Sequence, residues 1–138
     1  MFFFGVILLF FLHYLGDYPL QGDFIAKAKN STAPIPGVPW WQAMMAHSVI
    51  QGGLVYFGVC VIYLTSSFIW LGRIGSVELQ YALVLGGIAF CAEAVIHFVT
   101  DHAKCHNKIS YNVDQLIHLV CKIGIAWWAT PIPTYMTT

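Results

Sequence analysis

Residues 81–101 read YALVLGGIAFCAEAVIHFVTD, and this stretch decides the fold class. It is long enough to cross the hydrocarbon core of a bilayer as one α-helix, which takes about 20 residues. The apolar run is interrupted at Glu93, His97 and Asp101, which follow one another at intervals of four residues. Side chains at this interval share one face of a helix. The stretch therefore predicts a membrane-spanning helix with a polar stripe near its carboxyl-terminal end.

The composition of the whole chain agrees with a membrane protein. Of the 138 residues, 59% are hydrophobic and 9% are charged, whereas about a quarter of the residues in a soluble domain are charged. The high hydrophobicity excludes a disordered tail. Six Lys and Arg balance six Asp and Glu, and no basic cluster is present. This excludes a nucleic-acid partner, because such binding depends on neutralising phosphates.

Three further stretches have the length and apolarity of membrane spans. Together the four stretches predict an all-α, integral membrane four-helix bundle that forms a single domain over residues 1–138. The predicted helices cover approximately 2–21, 43–69, 81–101 and 113–128. Pro19 lies inside the first of them, where its ring clashes with the carbonyl of Leu15. We therefore expect this helix to kink or stop near Asp17.

The basic residues predict the orientation of the bundle. The loops that follow the first and third helices carry four of the six Lys and Arg residues, namely Lys27, Lys29, Lys104 and Lys108. Loops rich in Lys and Arg remain in the cytoplasm. Both termini are therefore expected on the outer side of the membrane.

Each predicted helix carries a stripe of His, Asp or Glu near one end. Because neighbouring helices run in opposite directions, all four stripes are expected at the membrane face bordered by the basic loops. A charged side chain within a span costs about 2.5 kcal/mol or more, so these groups should face the bundle interior and be paired. A divalent cation would satisfy them, and the candidate ligands are His13, Asp17, His47, His97, Asp101, Asp114 and His118.

The residue types indicate which metal is expected. Imidazole and carboxylate ligands suit Zn, and also Mn or Fe, and the number of candidates fits one or two ions. A metal-free polar network, a proton relay or unrelated structural polar groups are the alternatives. Three glutamines are expected to orient ligands or to hydrogen-bond a substrate: Gln21, Gln51 and Gln115. Glu93 is either a general base or a buried carboxyl paired with Lys122, and Lys104 and Lys108 are candidates for attracting an anionic substrate.

The motifs resemble those of a small, uncharacterised family of bacterial and phage membrane proteins. The first motif is His13-Tyr-Leu-Gly-Asp17-Tyr-Pro-Leu-Gln21, which matches H-x3-D-[FY]-x-L-Q. His47, the His97-x3-Asp101 pair and Asp114-Gln115-x2-His118 follow in the same order as in the family. The resemblance implies the same fold and site, and a multi-pass protein of the bacterial inner membrane. It implies no reaction.

Three functions fit these observations. The first is a metal-dependent hydrolase of a lipid-like or phosphoester substrate, because a metal with an open position activates water near neutral pH. The second is a metal or proton transporter, although the outer halves of the predicted helices are apolar. The third is a non-catalytic accessory protein with a structural metal, which contacts a host membrane protein. The small size of the bundle is also compatible with a homodimer.

Overall fold

The chain folds into α-helices joined by short connections. A computed structural model describes residues 1–131, and these contain five α-helices and no strand. The helices are α1 (Phe2–Asp17), α2 (Gly22–Ala28), α3 (Trp40–Leu71), α4 (Ser76–Cys105) and α5 (Tyr111–Ala129). The all-α class is thus confirmed. The predicted domain extends to residue 138, and residues 132–138 lie outside the described part of the chain.

The first predicted helix, 2–21, ends early at Asp17, and Pro19 lies in the turn between it and α2. Proline has no N–H to continue the helix, and the carbonyl of Leu15 instead accepts a hydrogen bond from the N–H of Leu20 at 3.1 Å. Gly22 then adopts a φ of 61°, which glycine reaches without steric cost. As a result, α2 makes an angle of 80° with α1. The interruption expected near Asp17 is present, and it turns the chain across the end of α1.

A tight connection joins the two longest helices, both of which extend beyond their predicted bounds. Gly72 ends α3 with a φ of 67°, and its N–H donates to the carbonyl of Phe68 at 2.9 Å. The carboxylate of Glu78 accepts from the N–H of Gly75 at 2.9 Å at the start of α4. So short a connection makes α3 and α4 antiparallel neighbours.

The helices form a closed ring in the order α1, α3, α4, α5. The most extensive interface lies between α3 and α4, and α1 packs on both α3 and α5. Gly52 makes the α3–α4 approach close, because a Cβ atom at this position would lie 2.9 Å from the carbonyl oxygen of Phe90. Small residues at such crossings let helix backbones approach each other.

The outside of the bundle is apolar and its inside is polar. On α4, Val95 is 64% exposed whereas His97 is 1% exposed and Glu93 is fully buried. Extended apolar surface of this kind marks contact with a membrane or with another protein. Within residues 1–131, α3 and α4 are long and apolar enough to cross a membrane, and the bent pair α1–α2 adds a third span if it is counted as one. These features indicate a membrane protein.

The predicted fourth span, 113–128, corresponds to α5. α5 has 19 residues and is not among the helices that meet the length and hydropathy requirements for a span. Its buried face carries Asp114, His118 and Lys122, which lower its mean hydropathy. Its exposed face is nevertheless apolar, as at Val120, which is 61% exposed.

The interior of the bundle has two layers. On α3, the buried His47 and Gln51 precede the buried Val55 and Val59 along one helix face. The other helices of the ring show the same change from polar to apolar. The apolar layer consists of Leu9, Val55, Val59, Ile62, Ala89, Ala126 and Ala129. The polar layer lies on the side where α2 and the α4–α5 connection cross the bundle.

Candidate metal centre

Three side chains from three helices converge in the polar layer. Nε2 of His47 and Nε2 of His97 are 3.0 Å apart, and Oδ1 of Asp17 is 3.4 Å from each of them. The ligand atoms of a tetrahedral zinc ion lie about 3.3 Å apart when the bonds to zinc are about 2.0 Å long. The three atoms therefore have the spacing of one face of a tetrahedral metal site. We call these residues the Asp17 cluster.

Two glutamines fix the carboxylate of the Asp17 cluster. Nε2 of Gln51 donates to Oδ1 of Asp17 at 2.6 Å and to the carbonyl of His13 at 3.2 Å. Nε2 of Gln115 lies 3.4 Å from Oδ2 of Asp17. Gly16 leaves room for Gln51, because a Cβ atom there would lie 2.5 Å from its amide nitrogen. Such outer hydrogen bonds hold a ligand in its binding geometry, the role expected for these two glutamines.

Asp101 lies beside the Asp17 cluster and already has cationic partners. Its Oδ2 is 3.6 Å from Nε2 of His47 and 3.8 Å from Nε2 of His97. The same oxygen is bonded to Nζ of Lys29, and its Oδ1 is 2.5 Å from Nζ of Lys104. Its negative charge is therefore neutralised by two lysines, which compete with any metal for its oxygens.

A second group of ligand atoms lies one helical turn deeper. His13, Glu93, His97 and His118 offer four atoms within 4.8 Å of one another. Oε1 of Glu93 is 3.6 Å from Nδ1 of His97 and 4.0 Å from Nδ1 of His118. The same Oε1 is 2.5 Å from Nζ of Lys122, and both partners are fully buried. We call the four residues the Glu93 cluster, and the Glu93–Lys122 ion pair anticipated from the sequence is present.

Many polar atoms in both clusters lack a hydrogen-bond partner among the described residues. Buried polar atoms without partners cost free energy, and native proteins contain few of them. Their concentration in one layer makes this layer a candidate site for a cation, water or protons. The atoms are both ring nitrogens of His13, Nδ1 of His47, His97 and His118, and Oε2 of Glu93.

Asp114 belongs to neither cluster. Its Oδ1 is 3.5 Å from Nε2 of His118, and its Oδ2 accepts from Lys104 at 2.8 Å. Thr100 also approaches Nε2 of His118, at 3.1 Å. Because these contacts surround the ring nitrogen that faces away from Glu93, they orient His118 and do not add a donor to the Glu93 cluster.

The remaining predicted residues lie around the rim. Lys104 bridges Asp101 and Asp114, whereas Lys108 is exposed in the α4–α5 connection. The amide of Gln21 can be oriented to donate to the carbonyl of Asp17 at 2.7 Å and to accept from Lys29 at 2.6 Å. Gln21 therefore joins the end of α1 to the segment after α2.

The Asp17 cluster is reached from the break between α1 and α2. The side chain of Asp17 is 12% exposed, whereas His47 is fully buried and His97 is 1% exposed. A pocket of about 320 Å³ opens at Asp17, with Gln21 and Asp23 among its lining residues. Solvent therefore reaches this site through its carboxylate.

Two residues of the polar layer are absent from the sequence-based set. Lys29 follows α2 in a polar segment, and its spacing from other residues gives no sign that it bonds Asp101. Thr100, in contrast, follows His97 by three residues, which is a helical-face spacing. A search of that face for hydroxyl groups as well as for metal ligands would have found it.

Residues 6–137 match the sequence model of a family of proteins of unknown function, DUF3307. The chain belongs to the DUF3307 family. The match includes all residues of both clusters, and it agrees with the resemblance to an uncharacterised family. No curated protein and no solved structure matches the DUF3307 chain.

Proposed function

We propose that this DUF3307 protein is a multi-pass protein of the bacterial inner membrane that binds a divalent cation at the Asp17 cluster. In this proposal α1–α2, α3, α4 and α5 form a membrane-spanning four-helix bundle. The inverted burial pattern supports α5 as the fourth span, because its buried face is polar and its exposed face is apolar. Lys27 and Lys108 lie at the same end as the clusters, which favours the cytoplasmic side for that end.

The observation that carries the metal proposal is the triangle of donor atoms in the Asp17 cluster. Its three edges measure 3.0, 3.4 and 3.4 Å, and its donors are two imidazole nitrogens and one carboxylate oxygen. This donor set suits Zn, with Mn or Fe as alternatives. A cation would also relieve the close approach of two Nε2 atoms, which otherwise need a proton between them.

The reaction that this geometry supports best is hydrolysis of a lipid-like or phosphoester substrate. Three protein ligands and an open fourth position are typical of catalytic zinc sites, where the metal activates water. The pocket at Asp17 gives access from the membrane surface. In this proposal Gln51 and Gln115 orient Asp17, and exposed Lys108 attracts an anionic substrate. Glu93 orients His97 in place of the general-base role, because it is fully buried against Lys122.

Transport through the bundle is less compatible with the interior of the molecule. A conduit for metal ions or protons requires polar groups through the membrane thickness. In the described part of the chain, Leu9, Val55, Val59 and Ile62 fill the layer beyond the two clusters. The polar layer is therefore accessible from one side, which suits a binding or active site.

A structural metal in a bacterial or phage accessory protein is the second candidate, and Asp101 is the residue that favours it. Its Oδ2 lies 3.6 Å and 3.8 Å from the two Nε2 atoms, close enough to supply a fourth ligand after a small shift. A closed set of four protein ligands is typical of structural zinc sites. The two candidates therefore differ in whether water reaches the metal.

Metal analysis of detergent-purified protein tests the shared part of both candidates. We expect one tightly held Zn or Mn ion per chain in the unmodified protein and its loss in Asp17→Asn. Asp23→Asn is the matched control, since Asp23 is an exposed carboxylate at the mouth of the same pocket and contributes no atom to the Asp17 cluster. Absence of metal from the unmodified protein after loading would refute the proposal.

The Mn-loaded protein separates the two candidates. A coordinated, exchanging water raises the relaxation rate of bulk water protons and supports the hydrolase. That result predicts turnover of phosphodiester or phospholipid substrates that is absent in Asp17→Asn. A relaxation rate equal to that of a fully shielded ion would refute the hydrolase and leave the structural metal.

A further inference from the structure

Lys122 is the most unusual side chain of the bundle. Lysine is almost never fully buried unless it is paired, and Lys122 is fully buried. Its Nζ is 2.5 Å from Oε1 of Glu93, so a single positive charge lies inside the Glu93 cluster. The other members of that cluster are three imidazoles, each of which has a ring nitrogen without a hydrogen-bond partner in residues 1–131.

The ammonium group and a metal ion would need the same oxygen. Oε1 of Glu93 is the carboxylate atom that faces the two imidazoles, at 3.6 Å from Nδ1 of His97 and 4.0 Å from Nδ1 of His118. A metal bound there would lie about 2 Å from this oxygen and close to Nζ of Lys122. Two positive charges at that separation repel each other strongly inside a protein, where screening is weak.

His97 links the two clusters through its two ring nitrogens. Nε2 points to the Asp17 cluster, 3.0 Å from Nε2 of His47, and Nδ1 points to Glu93. A metal-binding histidine commonly directs its second nitrogen to a carboxylate, which fixes the orientation of the ring. With a metal on Nε2, Glu93 is thus a positioning residue, and Lys122 holds its carboxylate in place through the 2.5 Å contact.

We propose that Lys122 is a built-in cation that takes the place of a second metal ion. The centre then holds one divalent cation, in the Asp17 cluster. A second ion would bind His13, Glu93 and His118. It would not bind His97, whose Nε2 already holds the first ion, and it binds only when the ammonium group is removed. This inference rests on the metal site proposed above. It makes the number of ions per chain depend on one residue that binds no metal itself.

The test is the number of Zn or Co ions per chain at saturation in detergent-purified variants. We expect one ion in the unmodified protein and two in Lys122→Met, a change that leaves Glu93 free for the metal. Asp17→Asn should hold none, and the double variant Asp17→Asn with Lys122→Met should hold one, in the Glu93 cluster. Circular dichroism checks that each variant retains its helix content.

A matched double variant identifies the second ligand set. Glu93→Gln with Lys122→Met removes both charges, and the count should return from two ions to one. This neutral pair also avoids an unpaired buried charge, so it is the variant least affected by misfolding.

The outcomes separate this inference from the proposed function. Two ions in the unmodified protein would overturn the role of Lys122, whatever the behaviour of the variants. One ion in a folded Lys122→Met protein would overturn it as well. No metal in any form of the protein would refute the proposed function itself.

Discussion

The Glu93–Lys122 ion pair makes a sharp prediction about stability in the absence of metal. Lys122→Met replaces the ammonium group with an uncharged side chain of similar length and leaves Glu93 without its partner. Glu93→Gln leaves the ammonium group alone in the same way. Both residues are fully buried, so water cannot solvate the remaining charge. Each single variant is therefore expected to be much less stable than the double variant.

The magnitude follows from the separation and burial of the pair. At 2.5 Å and an effective dielectric constant of about 20, the attraction between two unit charges is about 7 kcal/mol. Desolvation of both groups offsets a large part of this attraction. Removal of one partner of a buried pair costs about 3–5 kcal/mol, whereas replacement of both is close to neutral. The coupling energy in a double-mutant cycle should thus be about 3 kcal/mol or more.

The free energy of unfolding is measured by SDS titration in mixed micelles, with circular dichroism as the readout and a chelator present. Lys27→Met is the control, because Lys27 is exposed on α2 and its loss should change stability by less than about 0.5 kcal/mol. The buried pair would be refuted if each single variant lost less than about 1 kcal/mol of unfolding free energy and the double variant lost the sum of the two.

Two further predictions concern packing and the segment after α2. Gly52→Ala should lower the free energy of unfolding by about 1–3 kcal/mol, because its Cβ would lie 2.9 Å from the backbone carbonyl of Phe90. Gly53→Ala is the control, because a Cβ atom at this position meets open space. It should raise the free energy of unfolding by up to about 1 kcal/mol through helix propensity. Equal changes in the two variants, measured by the same SDS titration, would contradict the close approach of α3 and α4. Lys29→Met removes the bond between the segment after α2 and Asp101 of α4. Limited proteolysis should therefore cut between α2 and α3 several-fold faster than in the unmodified protein. A cleavage rate equal to that of the control Lys27→Met would show that this bond does not hold the segment.

The fold class was predictable because helix periodicity and apolar length act locally. The four-residue spacing of Glu93, His97 and Asp101 placed them on one face of α4, and the structure buries all three. The interruption of α1 was equally predictable, because proline cannot donate the hydrogen bond that the helix needs. Length and apolarity alone support only part of the predicted membrane topology, since α5 is too polar to meet the requirements for a span.

The composition of the site was less predictable, because it depends on contacts between helices. Spacing identified Asp101 and Asp114 as equivalents of Asp17. In the structure, however, Asp101 bonds both Lys29 and Lys104, and Asp114 bonds Lys104. Which carboxylate meets a lysine is decided by the path of the connecting segments. A single sequence contains no periodic signal for such a path.

The separation of Glu93 and Lys122 along the chain has a consequence for biosynthesis. The ribosome adds Glu93 29 residues before Lys122, so α4 is complete while its counter-charge is still untranslated. A lone carboxylate in a nascent membrane helix costs about 2.5 kcal/mol or more on insertion scales. In the proposed four-span bundle, α4 and α5 are therefore expected to leave the insertion machinery together, as a hairpin.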